Sequence, residues 1–478
     1  MVDADRLQKL KELQKLGINP YPYSFDRKNY ADEIKENFSK LDGKKVSVAG
    51  RVMSIREHGK LAFADLADST GRIQLWLSED ALGKKNYDLL KHVETGDIIG
   101  VKGTATKTKR GEVSVKADSL EILTKSLTNL PPSWYGLKDV EIRYRQRYLD
   151  LIMNPDVKKN FIIRTKIMDA IREFLNSKGF LETDTPVLQP IYGGAAAHPF
   201  ETFMRDLKMK VYLRTSNELY LKRLIVGGLE KVYEFAKDFR NESINTTHNP
   251  EFTQVEIYEA YADRDKIADL FEDLYAFVAK KVLGTTKITY QGQKIDLGKW
   301  KRTRMTDAIK EKYKIDVMKM NKKELLKVAK EKGVKLAGNE SEGELINAIF
   351  ETFDKEIIQP TLIMDHPKET TPLCKVSRKD DRFVERFEPF ACGMELGNAY
   401  SELNDPLLQR KLFENQLKSR CVEKEPWSCE IDEDFLRAIE YGMPPTGGIG
   451  IAIDRLTMLL TDSASIRDVV FFPFMKPE

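Results

Sequence analysis

No stretch of the chain approaches the run of about 18 apolar residues that a membrane-spanning helix needs. The first ten residues, MVDADRLQKL, put charges where an export signal carries its apolar centre. Cysteine is scarce. The four present, Cys374, Cys392, Cys421 and Cys429, never fall at CxxC spacing, which counts against a zinc ribbon and a disulfide framework. These absences point to a reducing, cytoplasmic setting with no membrane partner. An excess of one charge is lacking too. The 78 Lys and Arg against 75 Asp and Glu leave a net +3, so any nucleic-acid contact must come from local basic surface. Lys9, Lys11 and Lys15, and Arg143, Arg145 and Arg147, are candidate clusters, although such a run is more often just a solvated face.

What is present describes a globular chain of 478 residues, 41% hydrophobic and 32% charged, long enough for about two or three domains. Leu7, Leu10 and Leu13 have helical spacing within a lead-in of residues 1–45, which GINPYPY breaks. Short alternating segments follow: VSVAGRVMSI, KLAFADLAD, GRIQLWLS, a helix near 80–94, then DIIGVKGTATKT and EVSVKADSLEIL. Five strands with a helix between the third and fourth fit an OB-fold barrel over 46–127, a common platform for single-stranded nucleic acid. TNLPPSWYG opens a linker over 128–140, since paired prolines cannot continue a strand ladder. A second domain runs over 141–478. A Lys- and Glu-rich helical stretch, about 306–356, interrupts it as an insertion before the sheet pattern resumes at PTLIMDHP.

The most informative stretch is FRNESINTTHNPEFTQVEIY, residues 239–258. It reads as a strand ending in Arg240, a polar loop, and a second strand beginning at Glu251. Alternation puts Phe252, Gln254, Glu256 and Tyr258 on one face, with Val255 and Ile257 on the other. The apolar face suits a core. The other face, lined up beside Arg240 and Glu242, suits a flat base, a phosphate and a cation. The bland alternative is an antiparallel hairpin with that face in water.

FRNE…HNPEF resembles motif 2 of class II aminoacyl-tRNA synthetases. GGIGIAIDRLTML (447–459), with Arg455 at a strand-to-helix junction, resembles motif 3. FIIRTKIMDAIREFLNSKGFLETDTPVL (161–188), ending near Pro186, resembles motif 1. The resemblance implies an α+β protein: a class II antiparallel-sheet catalytic domain with flanking helices, preceded by the OB-fold barrel. An N-terminal OB domain on this core marks the subgroup for aspartate, asparagine and lysine. An aspartate pocket needs a cation, whereas a lysine pocket needs carboxylates, because a buried ammonium must be paired. TSNELYLKRL supplies Glu218, and alternation in MELGNAYSELND sets Asn398, Tyr400 and Glu402 on one strand face. GGAAAHPF, HNPEF, SELNDP and IRDVVFFPF are similar to lysyl-tRNA synthetases at matching spacing along nearly the whole chain.

The resemblance carries roles residue by residue. Glu218 and Gly194 would hold the α-ammonium of lysine, Arg240 and Asn398 its carboxylate, and Glu256, Tyr258 and Glu402 its ε-ammonium, with Tyr400 on the same wall. Adenine would stack between Phe252 and Arg455. Arg240 would reach the α-phosphate and Arg455 the γ-phosphate, with Glu242, His248, Asn249, Glu388 and Gly450 completing the ATP site. Glu388 and Glu395 match the carboxylates that hold several Mg²⁺ ions per subunit, as hard oxygen ligands should. On the barrel, Phe63 and Gln74 match positions for the middle uridine of the anticodon of tRNA(Lys), with Arg51 and Glu112 as further contacts. Phe63 reads otherwise as a core residue. The chemistry implied is attack of the lysine carboxylate on the α-phosphorus of ATP, then transfer of lysyl to the tRNA 3′ end, driven by alignment and charge neutralisation. Motif 1 implies a homodimer. The absence of a long Lys-rich N-terminal helix points to a bacterial or archaeal type.

The chain departs from the family pattern at Ser216 and Asn217, where Ala-Pro is usual, and at Ser243, Thr247 and His198, where Gly and two basic residues are usual. Three rivals stay open on sequence: a lysylating paralogue that modifies a translation factor and lacks the barrel, an aspartate or asparagine enzyme, and a non-catalytic OB-fold nucleic-acid binder.

Overall fold

The alternation read from 46 to 123 folds into a closed barrel. Its strands are β1 (Lys45–His58), β2 (Leu61–Ala67), β3 (Arg72–Ser78), β4 (Ile98–Lys107) and β5 (Val113–Thr124), hydrogen-bonded in the order β1-β2-β3-β5-β4. Ala62, Ala64 and Leu66 of β2 and Ile73, Leu75 and Leu77 of β3 fill the interior, so their neighbours face outward. β1 is long and must wrap the barrel, and its register shifts between Val52 and Ser54. Such a bulge bends a strand and sharpens its twist. The single helix expected after β3 is instead two short helices, Glu79–Leu82 and Lys84–Asp88, and a 3-10 turn, Leu89–His92. Gly83, at φ 72°, ends the first and starts the second, a conformation that glycine adopts without strain.

This computed structural model describes residues 2–131, 137–195, 197–422 and 431–477. Residues 132–136 of the expected linker, and Cys429, lie outside them. The chain divides into two compact units, Met1–Gly136 and Leu137–Glu478.

In the second unit, α1 (Pro155–Ser177) carries motif 1. Ile167, Ile171 and Phe174 recur at helical spacing and are buried, whereas Ile162 stays 52% exposed. After β6 (Leu181–Glu182) come α2 (Glu218–Val226), β7 (Lys231–Phe239), β8 (Glu251–Ala260) and α3 (Arg264–Leu283). The Asp263 carboxylate caps α3 by accepting from Lys266 N at 3.1 Å, and Gly284 in the left-handed region stops it. The rest of the sheet is β9 (Lys301–Arg304), β10 (Thr361–Pro367), β11 (Phe383–Ala391), β12 (Gly397–Ser401) and β13 (Thr446–Ala452), which runs into α4 (Ile453–Leu460). Strand order is β9-β10-β11-β12-β13-β8-β7-β6, antiparallel except for the parallel pairs β9–β10 and β7–β6. The helical stretch expected as an insertion therefore has a topological task. Parallel neighbours need a crossover, and the helices Met305–Tyr313, Lys322–Glu331 and Glu342–Glu351 supply it with a small core of their own around Leu325, Leu345 and Phe350.

One expectation about charge fails. Arg147, read as a possible solvated face, is fully buried. It donates to Asp150 at 2.5 Å and to the carbonyls of Phe471 and Arg467 at 3.0 and 2.6 Å. Sequence spacing could not reveal the two carbonyl partners, 324 and 320 positions away.

Candidate active site

The centre of the sheet is buried on both sides. Val255 and Ile257 of β8 enter the main core with Ile449 and Ile451 of β13. The opposite face, Gln254, Glu256 and Tyr258, is buried too, at 9%, 7% and 2% exposure. The solvated-hairpin alternative is thus overturned. This polar face floors a cavity of about 470 Å³.

Glycine makes the floor possible. Gly448 sits opposite Tyr258 and Tyr400, and Gly450 opposite Glu256 and Asn398. A Cβ at 448 would fall 2.4 Å from both the Tyr258 ring and Glu402 Oε1, and one at 450 would fall 2.8 Å from Glu256 Oε1. No side chain fits there while those groups keep their places.

Every residue that the sequence assigns to lysine, ATP or metal lines this one cavity. At the acidic end, Glu256 accepts from Gln254 Nε2 at 2.9 Å and from the Tyr258 hydroxyl at 3.1 Å. Burial, with the charges of Glu218 and Asp238 added, holds its carboxyl well above the usual range. Burial likewise pushes Asp238 up to about 6, against the pull of Arg214. Glu402 is fully buried, and Oε1 has no hydrogen-bond partner among the described residues. Glu218 opens α2, with its N–H donating to Ser216 Oγ at 3.2 Å, and Gly194 packs against the same Ser216. On β12, Asn398 donates to the Tyr400 hydroxyl at 2.7 Å.

At the other end, Arg240 closes β7. Its guanidinium stands 5.0 Å from the Phe252 ring centroid, and its Nε is buried without a hydrogen-bond partner among the described residues. Arg240 covers the ring, while Arg455 donates to Glu395 O at 2.5 Å and lies 3.1 Å from His248 Nε2. Burial and the neighbouring Arg455 hold His248 below its ordinary value, so it faces Arg455 as a neutral acceptor. Asn249 is buried and donates to Glu251 O at 2.6 Å, while Glu242 stands exposed at the rim. Glu388 pairs with Arg386 and lies 4.0 Å from His366 Nε2.

Two groups, one on the cavity wall and one behind it, have no assignment from sequence. Arg386 of β11 donates to Asn398 Oδ1 at 2.9 Å as well as to Glu388. The signal for it was there, since it sits two positions from Glu388 on one strand face. The other is Lys222, fully buried behind the wall, with Nζ 2.5 Å from both Glu218 Oε1 and Glu402 Oε2. Its spacing of four from Glu218 reads as an ordinary surface helix pair. The unusual residues have local partners. Asn217 donates to Glu234 at 2.7 Å, which Arg214 also grips at 2.7 Å, and Thr247 bonds Asn245 within the loop.

On the barrel, Phe63 is outward and pairs across the strands with Trp76, ring centroids 6.2 Å apart, so it is not a core residue. Gln74, diagonal to it, accepts from Ser114 Oγ at 2.9 Å, and Glu112 is exposed in the turn before β5. Arg51 donates to Gly96 O at 2.6 Å. Trp76 went unread, and the Lys116 ammonium lies 5.6 Å from its ring.

Residues 139–476 match the family of tRNA synthetases class II (D, K and N), and residues 46–123 match the OB-fold nucleic acid binding domain. Relatives named lysine–tRNA ligase align over almost the whole chain. The protein from Moorella thermoacetica is 50% identical over 478 residues, covering 99% of this chain and 98% of its own. The protein from Carboxydothermus hydrogenoformans is 51% identical over 475 residues, with 99% and 97% covered. The chain belongs to the lysine–tRNA ligase family. A Clostridium perfringens member is 50% identical over 480 residues, with 99% and 96% covered. The α+β architecture expected from the resemblance, a class II antiparallel sheet preceded by an OB barrel, is present in full. The barrel is the part that a lysylating paralogue lacks, and the cavity is the part that a bare OB-fold binder lacks.

Proposed function

We propose that the chain is a lysine–tRNA ligase that activates L-lysine with ATP and passes lysyl to the 3′ end of tRNA(Lys). The observation that carries this reading is the acidic end of the cavity: Glu218, Glu256 and Glu402 are buried together beside Tyr258, within one cavity that also holds Arg240 and Arg455. Buried carboxylates are costly unless a cation meets them, and a side chain ending in an ammonium supplies it. Glu402 Oε1 has acceptor capacity left for that donor. Glu218 and Gly194 then face the α-ammonium, and Arg240 and Asn398 the carboxylate. Phe252 and the arginines take ATP, with Glu242, His248, Asn249 and Gly450 around it, so that the carboxylate attacks the α-phosphorus in line. The test is ATP–pyrophosphate exchange with each of the twenty amino acids. Lysine alone should support it, and exchange driven by aspartate or asparagine instead would overturn the reading.

Glu388 and Glu395 fit Mg²⁺. Both are hard oxygen donors on the cavity wall, and burial and the charge of Glu388 together raise the Glu395 carboxyl above its ordinary range, a repulsion that a shared cation relieves. Bound there, Mg²⁺ would supply charge neutralisation on the phosphates.

Among the described residues no helix is long and apolar enough to cross a membrane, and we place the protein in the cytoplasm with the rest of translation. It works as a homodimer in this reading. Ile162, Leu181 and Leu188 of motif 1 remain 51–53% exposed, more apolar surface than one subunit uses. Sedimentation at micromolar concentration should give twice the chain mass of 54.9 kDa. A species of single-chain mass alone would count against the dimer.

The barrel reads the anticodon through Phe63 and Gln74, with Glu112 and Arg51 at its margins. Phe63→Ala should raise the KM for tRNA(Lys) by the loss of one stacked base, about 1–3 kcal/mol. Exchange without tRNA should be unchanged. Equal aminoacylation by the variant and the parent would remove Phe63 from the interface.

A further inference from the structure

We propose that Lys222 is a built-in counter-cation that sets the charge of the amino-acid pocket to match a diamino acid. The inference rests on the lysine reading above and deepens it. Lys222 reaches the pocket from behind: it is fully buried, it does not line the cavity, and its Nζ bridges Glu218 and Glu402 at 2.5 Å each. These are the two carboxylates assigned to the two ends of the substrate. Burial opposes a charge on Lys222, but Glu218 and Glu402 outweigh it and hold the group as an ammonium.

Burial and acidic neighbours hold the Glu256 carboxyl well above the usual range, and it ionises when a cation arrives beside it; the three carboxylates less this one ammonium then leave two negative charges for the substrate. A diamino acid brings two ammonium groups at matching ends. A monoamino acid brings one, and the charge it leaves unmet is removed only by a proton on a carboxylate, which then offers the ligand no ion pair. Without Lys222 the pocket would carry a third negative charge that even lysine does not meet, and the carboxylates would shed it by holding a proton. Lys222 is therefore a positioning and specificity residue that acts through Glu218 and Glu402. The other titratable groups facing this pair are Glu256 and Tyr258 of β8, Cys374 and Lys375 beside the Cys374–Glu402 bridge, Arg386 of β11 and Tyr400 of β12. All of them are retained in the test variants, so any change in their titration is itself driven by the loss of the Lys222 charge.

The experiment follows the acid limb of kcat/KM for lysine, measured by ATP–pyrophosphate exchange across pH, in the parent, Lys222→Met and Lys222→Arg. Loss of a cation in contact with a carboxylate raises that carboxyl, and a raised carboxyl ionises only at higher pH. The limb of Lys222→Met should accordingly move up by about 1–3 pH units. The KM for lysine should rise more than kcat falls, and ATP affinity by calorimetry should hold. Lys222→Arg keeps the charge and should return the limb towards the parent. A Met variant whose rate drops equally at every pH, with the limb in place, would make Lys222 merely structural and overturn the inference. Should Lys222→Met lose its fold by circular dichroism, Lys222→Gln, which keeps a polar end, poses the same question. Failure of the lysine reading is seen separately, as a parent enzyme that exchanges with another amino acid.

Discussion

Replacing Arg240 by Ala should lower kcat for lysine-dependent exchange about 10²–10³-fold, or about 2.7–4 kcal/mol, the usual loss when one preorganised donor to a developing negative charge is removed. Arg240 directly follows β7 at the start of the motif 2 loop, and its N–H donates to Pro250 O at 2.9 Å, so the backbone of the hairpin fixes its position. Its guanidinium rests near the Phe252 face, and its buried Nε has no hydrogen-bond partner among the described residues. A buried donor left unsatisfied costs stability, and a phosphate or carboxylate oxygen is the acceptor that would offset it. Arg240→Lys should rescue little, since an ammonium lacks the planar fork that stacks and donates twice. ATP affinity should fall less than kcat, because Phe252 and Arg455 remain. The measurement is exchange with ATP affinity determined separately by calorimetry. An Arg240→Ala enzyme with the parent's kcat would take Arg240 out of the reacting site.

The parts of this molecule that were legible beforehand are those written in local patterns. Alternation in β8 fixed which face was apolar, and its polar face placed Gln254, Glu256 and Tyr258 together without any knowledge of the fold. The same alternation put Phe63 opposite Ala62 and Ala64, so its outward position follows from two small inward neighbours even though its own type argued for the core. What stayed hidden depends on partners distant in sequence. Arg147 and Lys222 both look like surface cations because a carboxylate sits three or four positions away, and nothing local says that a second element closes over them. Glu402, the second partner of Lys222, lies 180 positions later in the chain. The helices between β9 and β10 read as an insertion because the four-residue strand β9, KRTR, has no apolar alternation to announce that a parallel pair was being formed around them.

Glu402→Gln should cost lysine recognition about 3–5 kcal/mol, the range for breaking a buried ion pair by removing one partner. The change keeps the shape of the side chain and removes only its charge. Two cations then lose a counter-charge: the ε-ammonium of the substrate, and Lys222, which keeps only Glu218. Glu256 limits the damage, since burial and its acidic neighbours hold its carboxyl well above the usual range, and it can ionise when a cation arrives. The loss should therefore fall towards the lower bound as pH rises, because higher pH favours ionisation of Glu256. ATP affinity should change little, because Phe252, Arg240 and Arg455, the contacts proposed for adenine and phosphates, are untouched. The test is the lysine KM and kcat in exchange at two pH values, with ATP binding by calorimetry. A Gln variant that matches the parent in both constants would remove Glu402 from the pocket, and with it the argument that the acidic end of this cavity is built for an ammonium.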